Sequence, residues 1–211
     1  MEFPVKIIDQ CQSTLENHQL EGFLTGAGNE DAEIMFIGEA PGEKEAETGE
    51  PFCGRSGKVL DSYLTALGLA RKDVYITSAV RSRPFKWGER RPNGESVMKK
   101  INRKPTEKEI FAHAPLLDYQ IGAVRPRVIV SLGGVALKRL LGNAAKISMM
   151  HGDIQHSPVQ KSKKDNYQWS IETYDICALY HPAAVFYNPS IRTAIDEDVK
   201  ALRSHLDNLM L

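Results

Sequence analysis

The chain has 211 residues and a formal net charge of +0, with 42% apolar and 26% charged residues. Such a composition excludes a disordered chain and a wholly basic, histone-like one, and the length suits a single domain over 1–211. A neutral total still leaves room for a local basic patch that docks on phosphates.

Three separated cysteines, Cys11, Cys53 and Cys177, form no CxxC pair. They read as reduced thiols, with neither a disulfide framework nor a zinc ribbon. Met1-Glu2-Phe3-Pro4 is no signal peptide, and no stretch nears the roughly 20 apolar residues of a membrane span. A soluble, cytoplasmic monomer with no membrane partner is expected.

In chain order, residues 1–30 read as an N-terminal helical segment. Four β-like runs come next: Glu33–Gly38, Val74–Val80, Arg127–Leu132 and Asp175–Tyr180. Each is apolar on both faces, as strands of a parallel sheet covered on both sides should be. Between them, Gly57–Leu67 places Val59, Leu60, Tyr63, Leu64 and Leu67 on one helical face, with Gly68 as a stop. Thr106 with Glu109 is a capping box opening a helix to about Ala123. Val135–Leu141 and Asp196–Leu209 are further helices, and Ser157–Asn166 is a polar surface loop or hairpin. Strands alternating with helices predict a three-layer α/β/α sandwich around a central four-stranded, mostly parallel sheet.

Ligands of such folds sit beyond the carboxyl ends of the strands. At those ends the four strands run into Gly38-Glu39-Ala40-Pro41-Gly42, Thr77-Ser78-Ala79-Val80, Gly133-Gly134 and His181-Pro182-Ala183-Ala184. These segments should gather on one rim. The loop Gly38–Gly57 is dense in glycine and proline, which lets a ligand approach the backbone. It ends in GRSGK but is no phosphate loop, because Phe52 stands at the first required glycine and Val59 at the required Ser or Thr. Phe52 can be a core plug or a stacking platform for a planar ring. His181, held before Pro182, can donate a hydrogen bond to developing negative charge.

The GEAPG motif, PFCGRSG at Pro51–Gly57 and the late HPAA at His181–Ala184 together resemble the uracil-DNA glycosylase superfamily, nearest its family 4 branch. ITSAVRSRP, ending at Pro84, is similar to that family's TN-[VA]-V-K-C-R-P. The resemblance runs from about Ala32 to Asp198. It implies a glycosylase that flips a deaminated base out of DNA and hydrolyses its N-glycosidic bond; that chemistry should itself need no metal or organic cofactor. It further implies Glu39 and His181 as the catalytic pair: Glu39 for the water and the cation-like sugar, His181 for the uracil O2. Phe52 would stack on the base, and Gly38, Ala40, Pro41, Gly42 and Ser78 would complete the base pocket. Ala183, Val185 and Phe186 would enter the DNA, with Val185 or Phe186 as the wedge.

Two departures stand out. The family's base-reading asparagine is Ser78 here, which reads less strictly because its hydroxyl rotates. That leaves hypoxanthine or xanthine as alternative substrates beside uracil. The second concerns a [4Fe–4S] cluster that the branch usually holds on four cysteines. Thr14, Ser82 and His113 stand where three of them would be, with Cys11 alone remaining.

Residues 79–105 carry Arg81, Arg83, Lys86, Arg90, Arg91, Lys99, Lys100, Arg103 and Lys104 against only Glu89 and Glu95. Trp87 and Pro92-Asn93-Gly94 interrupt the run, so it is not a simple helix. Its part over 85–105 reads as a basic insertion. Arg81, Arg83, Arg90, Arg91, Lys99 and Lys100 are the expected phosphate contacts. A non-catalytic DNA-binding member and an α/β enzyme for a small ligand remain the rival readings.

Overall fold

The computed structural model describes residues 1–91 and 95–209, so the Pro92-Asn93-Gly94 break lies outside the described residues. The N-terminal segment holds helix α1 (Val5–Thr14) and the short strands β1 (Leu20–Glu21) and β2 (Ala27–Gly28). Strand β3 (Ile34–Gly38) comes next, then helices α2 (Glu43–Thr48) and α3 (Arg55–Ala66), and β4 (Tyr75–Ser78). After these lie β5 (Arg83–Arg90), β6 (Val97–Asn102) and α4 (Glu107–Val124). The second half holds β7 (Val128–Leu132), α5 (Gly134–Leu141), α6 (Ile147–Met150), β8 (Ile154–Lys163), β9 (Asn166–Leu179) and α7 (Arg192–Leu209).

The main sheet runs β2-β4-β3-β7-β9-β8. Its four inner strands are the four expected ones, all parallel: β4 to β3, β3 to β7 and β7 to β9. The expectation of four strands is corrected to six, because β2 and β8 add antiparallel edges. Neither edge carried a legible pattern: β2 is two exposed residues, and β8 is a polar arm of a hairpin that lengthens β9 far beyond its buried end. The polar stretch at Ser157–Asn166 is that hairpin, with the turn at Lys164 and Asp165.

Side chains alternate across a strand, and the inner strands bury both sets. Ile34 and Phe36 face a core layer with Leu60, Leu64, Leu202 and Leu206, contributed by α3 and α7. Met35 and Ile37 face the other layer, against Leu117, Ile121, Ala136 and Leu140 of α4 and α5. This is the three-layer arrangement, and it leaves the strand ends as the exit for polar loops.

Beyond the end of β4 the chain enters a second sheet, β1-β5-β6. The basic insertion is therefore a β-hairpin rather than a helix or a loose loop. It is anchored at α4, where Thr106 accepts from the Glu109 N–H at 3.2 Å and Glu109 accepts from the Thr106 N–H at 2.8 Å. The same buried carboxylate binds Arg103 at 2.6 and 2.8 Å and His18 at 2.8 Å. Burial opposes its charge, but Arg103, the Thr106 N–H and His18 outweigh that and hold its pKa at about 2. A depressed carboxylate contributes stability above its ordinary range near 4.5 and loses it as pH falls toward 2. Glu109→Gln should cost about 3 kcal/mol, since it leaves Arg103 and His18 unpaired. Urea unfolding at pH 7 checks this, and an unchanged midpoint would remove Glu109 as the anchor.

Candidate active site

Strands β3 and β4 are in register with Gly38 beside Ser78. Beyond that point the Ala79 N–H donates to the Gly38 carbonyl at 2.9 Å and the Val80 N–H to the Glu39 carbonyl at 3.0 Å. The two loops thus leave the sheet together. They open into a cleft of 490 Å³ whose walls include Glu39, Ala40, Pro41, Gly42, Phe52, Ser78, His181, Ala183 and Phe186. Gly38 lies directly beneath: a Cβ there would stand 2.7 Å from the Phe52 ring. Every expected catalytic and base-pocket residue therefore meets in one place, of a size usual for small-molecule sites.

His181 caps the short 3₁₀ turn Pro182–Phe186, and its Nδ1 accepts the Ala183 N–H at 3.1 Å. An imidazole accepting at Nδ1 carries its proton on Nε2, so a donor is left available in the cleft. Burial lowers its pKa to about 4, so it is neutral at ordinary pH. Its ring lies 6.0 Å from that of Phe52. Glu39 is pushed the other way: burial raises its pKa above the usual carboxylate range, and the nearby Lys104 partly offsets this. A carboxylate and a neutral imidazole donor on one wall each are what a departing anion and a cation-like sugar would need.

Ser78 uses its hydroxyl proton internally, donating to the Val80 carbonyl at 2.7 Å. It therefore presents its lone pairs to a ligand. Beneath it Thr77 is buried and donates to Gln120 at 2.8 Å, which in turn donates to the Tyr75 hydroxyl at 2.8 Å.

Several expected DNA contacts need correction. Arg81 is fully buried and donates to Thr77, so it faces the interior and not a phosphate. Arg83 is also buried, held by Glu21 and by Asn102 at 2.6 Å. The physical reason is the same for both: they lie in the stretch that leads from β4 into the hairpin, where residues 79–85 are all enclosed rather than alternating in and out. Val185 is 7% exposed and sits in the core, so it is no wedge. Phe186 and Tyr187 are the exposed residues there, at 40% and 88%, and Arg55 lies 4.4 Å over the Phe186 ring.

The hairpin register separates the remaining cations. Trp87 pairs with Lys100, while Gly88 pairs with Lys99 and Arg90 with Val97. Lys86, Arg90 and Lys99 consequently share one exposed face. Lys100 lies on the other face, bound to Glu21 and 4.6 Å over the Phe85 ring. Arg91 pairs with Glu89 at 3.2 Å. Sequence reasoning gave no place in the cleft to Leu24, Arg55, Asn102 and Arg103, which line its wall together with Tyr187. Arg55 had a signal within the PFCGRSG motif and Arg103 among the cations of 79–105, whereas Leu24 and Asn102 had none.

The uracil DNA glycosylase superfamily, as a family model, matches residues 25–203. The chain belongs to that superfamily. It is 40% identical over 188 residues to the type-4 uracil-DNA glycosylase of Saccharolobus solfataricus, covering 88% of this chain and 76% of that protein. It is 38% identical to the type-4 enzyme of Sulfurisphaera tokodaii (85% and 73% covered) and 35% identical to that of Archaeoglobus fulgidus (94% and 89% covered).

The residues at the family's cluster position do not fit an iron–sulfur group. Cys11 is buried with its pKa pushed up to about 11 by burial, against the opposing charge of Arg81. Thr14 is exposed and donates to the Gln10 carbonyl at 2.7 Å. His113 is occupied at Nδ1 by the Glu109 carbonyl at 2.8 Å and stacks on Phe23 at 6.5 Å. Among the described residues no set of three or more His, Cys, Asp or Glu could hold a metal ion.

A histidine whose folded pKa is depressed stabilises the fold above its ordinary value and loses that contribution as pH falls. For His181 the window runs from 6.5 down to about 4. Nitrogen NMR should show His181 titrating near pH 4 with Nδ1 bare in the neutral form. A midpoint near 6.5, or a proton on Nδ1, would contradict the geometry.

Proposed function

We propose that this protein is a cytoplasmic, monomeric DNA glycosylase of base excision repair that hydrolyses the N-glycosidic bond of uracil flipped out of DNA. The observation that carries the reading is the preset imidazole: His181 is neutral and its Nδ1 is occupied by Ala183, which keeps an Nε2–H donor for a developing anion. The names of the type-4 relatives point to the same base.

In this reading the flipped uracil lies on the Phe52 ring, and its O2 receives the His181 hydrogen bond. The bond between C1′ and N1 breaks, with the electron pair leaving on uracil. Glu39 stabilises the cation-like sugar and orients the water that attacks C1′; as the new C–O bond forms, the water's proton passes to the Glu39 carboxylate and from there to solvent, while uracil departs as the anion. No proton has to reach His181, so the rate should not fall as pH rises through 6.5. An acid limb above the usual carboxylate range is expected from Glu39, which must be ionised. A rate that falls on the alkaline side with a midpoint near 6.5 would mean that an imidazolium is required.

Ser78 also favours a second substrate class. With its proton committed to Val80, its oxygen accepts from an N–H donor. Uracil offers N3–H at that edge, and hypoxanthine and xanthine offer N1–H, whereas cytosine presents a bare N3. Ser78 therefore rejects cytosine while reading deaminated bases loosely.

The test is base release from labelled oligonucleotides carrying uracil, hypoxanthine or xanthine. Uracil release that falls about a hundredfold or more in His181→Ala, and again in Glu39→Ala, supports the assignment. Release of a purine alone would transfer the protein to the second class. Binding without release from any substrate would leave a non-catalytic DNA-binding member.

The exposed face of Lys86, Arg90 and Lys99 is the proposed phosphate contact of the hairpin. Neutralising all three should lower the slope of log K against log salt by about 2–3, at roughly 0.9 per phosphate. Neutralising Lys100, already bound to Glu21, should change it far less. Equal effects from both changes would dismiss the face assignment.

A further inference from the structure

Phe52 has a φ of +53°, in the left-handed region that a bulky residue adopts at a cost. The surroundings must therefore hold it there. Gly57 comes so close that a Cβ on it would stand 1.6 Å from the Phe52 carbonyl oxygen. The ring presses on Gly38. The third restraint is a side chain outside the cleft. Arg71, in the single turn Arg71–Asp73 ahead of β4, donates from Nη1 to the Pro51 carbonyl at 2.9 Å and from Nη2 to the Phe52 carbonyl at 2.6 Å. Its Nε donates to Asp61 of α3 at 2.6 Å. In extended chain, successive carbonyls point to opposite sides; the left-handed residue brings both to one side, where a forked guanidinium spans them. A lysine, with a single ammonium, has no such fork.

We propose that Arg71 is a positioning residue of the cleft, gripping the two carbonyls so that the Phe52 ring stays at the height where a flipped base stacks. The inference rests on the uracil-release reading for its effect on rate, but not for its effect on the ring. Two closely packed glycines limit where the ring can go. Without the guanidinium, the φ of +53° is the conformation given up first. The Asp61 pair is half exposed on both sides, so it contributes little by itself and serves to aim the fork.

The first experiment measures uracil release by Arg71→Gln and Arg71→Lys, in the wild-type chain and in Phe52→Ala. Both variants should lower kcat about tenfold in the wild-type chain, with no recovery in the lysine variant. In Phe52→Ala neither should have any further effect. Independent, multiplying losses, or a wild-type rate in Arg71→Gln, would overturn the proposal. The second readout needs no chemistry. With 4-fluorophenylalanine at the seven phenylalanines, the Phe52 fluorine line is identified by its loss in Phe52→Leu. It should shift or broaden in Arg71→Gln while the lines of Phe3 and Phe111, far along the chain, stay in place. An unmoved Phe52 line would overturn the proposal even in a protein that releases no base. A moved line with no uracil release would keep it and retire the substrate reading instead.

Discussion

Four parallel strands with apolar residues on both faces can lie only between two covering layers, and the site depends on that constraint. Parallel pairing aligns all four carboxyl ends on one edge. Helices α3 and α7 on one side, and α4 and α5 on the other, cover the faces largely with apolar side chains. Polar and glycine-rich segments then have one outlet, the rim, where Gly38 and Ser78 stand side by side. Glu39, Ser78 and His181 come from three different strand ends and meet without any local sequence linking them.

Charge is handled in two ways around this rim. Groups that would act on a ligand are partly buried with no direct ion pair among the described residues, so burial outweighs any nearby charge and moves their acidities toward the neutral form: Glu39 upward despite Lys104, His181 downward. Groups that anchor the hairpin are paired instead, as with Glu109 against Arg103 and His18. Arg81 belongs to neither set. It is buried beside Thr77 and Cys11, and its Nε and Nη2 have no hydrogen-bond partner among the described residues.

The sequence made the inner strands legible because their two-sided apolar runs are a global demand written locally. The Thr106–Glu109 cap was legible because its signal spans only four residues. The rim residues could be read because glycine, proline and a strand-end histidine mark turns wherever they occur. Features that depend on pairing partners stayed hidden. A run of cations looks uniform in sequence, yet register sends Lys86, Arg90 and Lys99 outward and Lys100 against Glu21. Arg81 and Arg83 look like the first of that run, yet they are enclosed at its root. Val185 and Phe186 are neighbours of similar hydrophobicity, and only the 3₁₀ turn decides that one is core and the other surface.

Gly38 and Gly57 bear on how such a site can drift. Each faces an atom of Phe52 at a distance no side chain could tolerate. Substitution at Ser78 merely changes what a ligand meets, so that position can be sampled over generations while the scaffold endures. At the two glycines even alanine would displace the aromatic floor. The least substitutable positions of the cleft are then ones that contribute no functional group at all, and a saturation screen would find the pocket by its silent residues before its reactive ones.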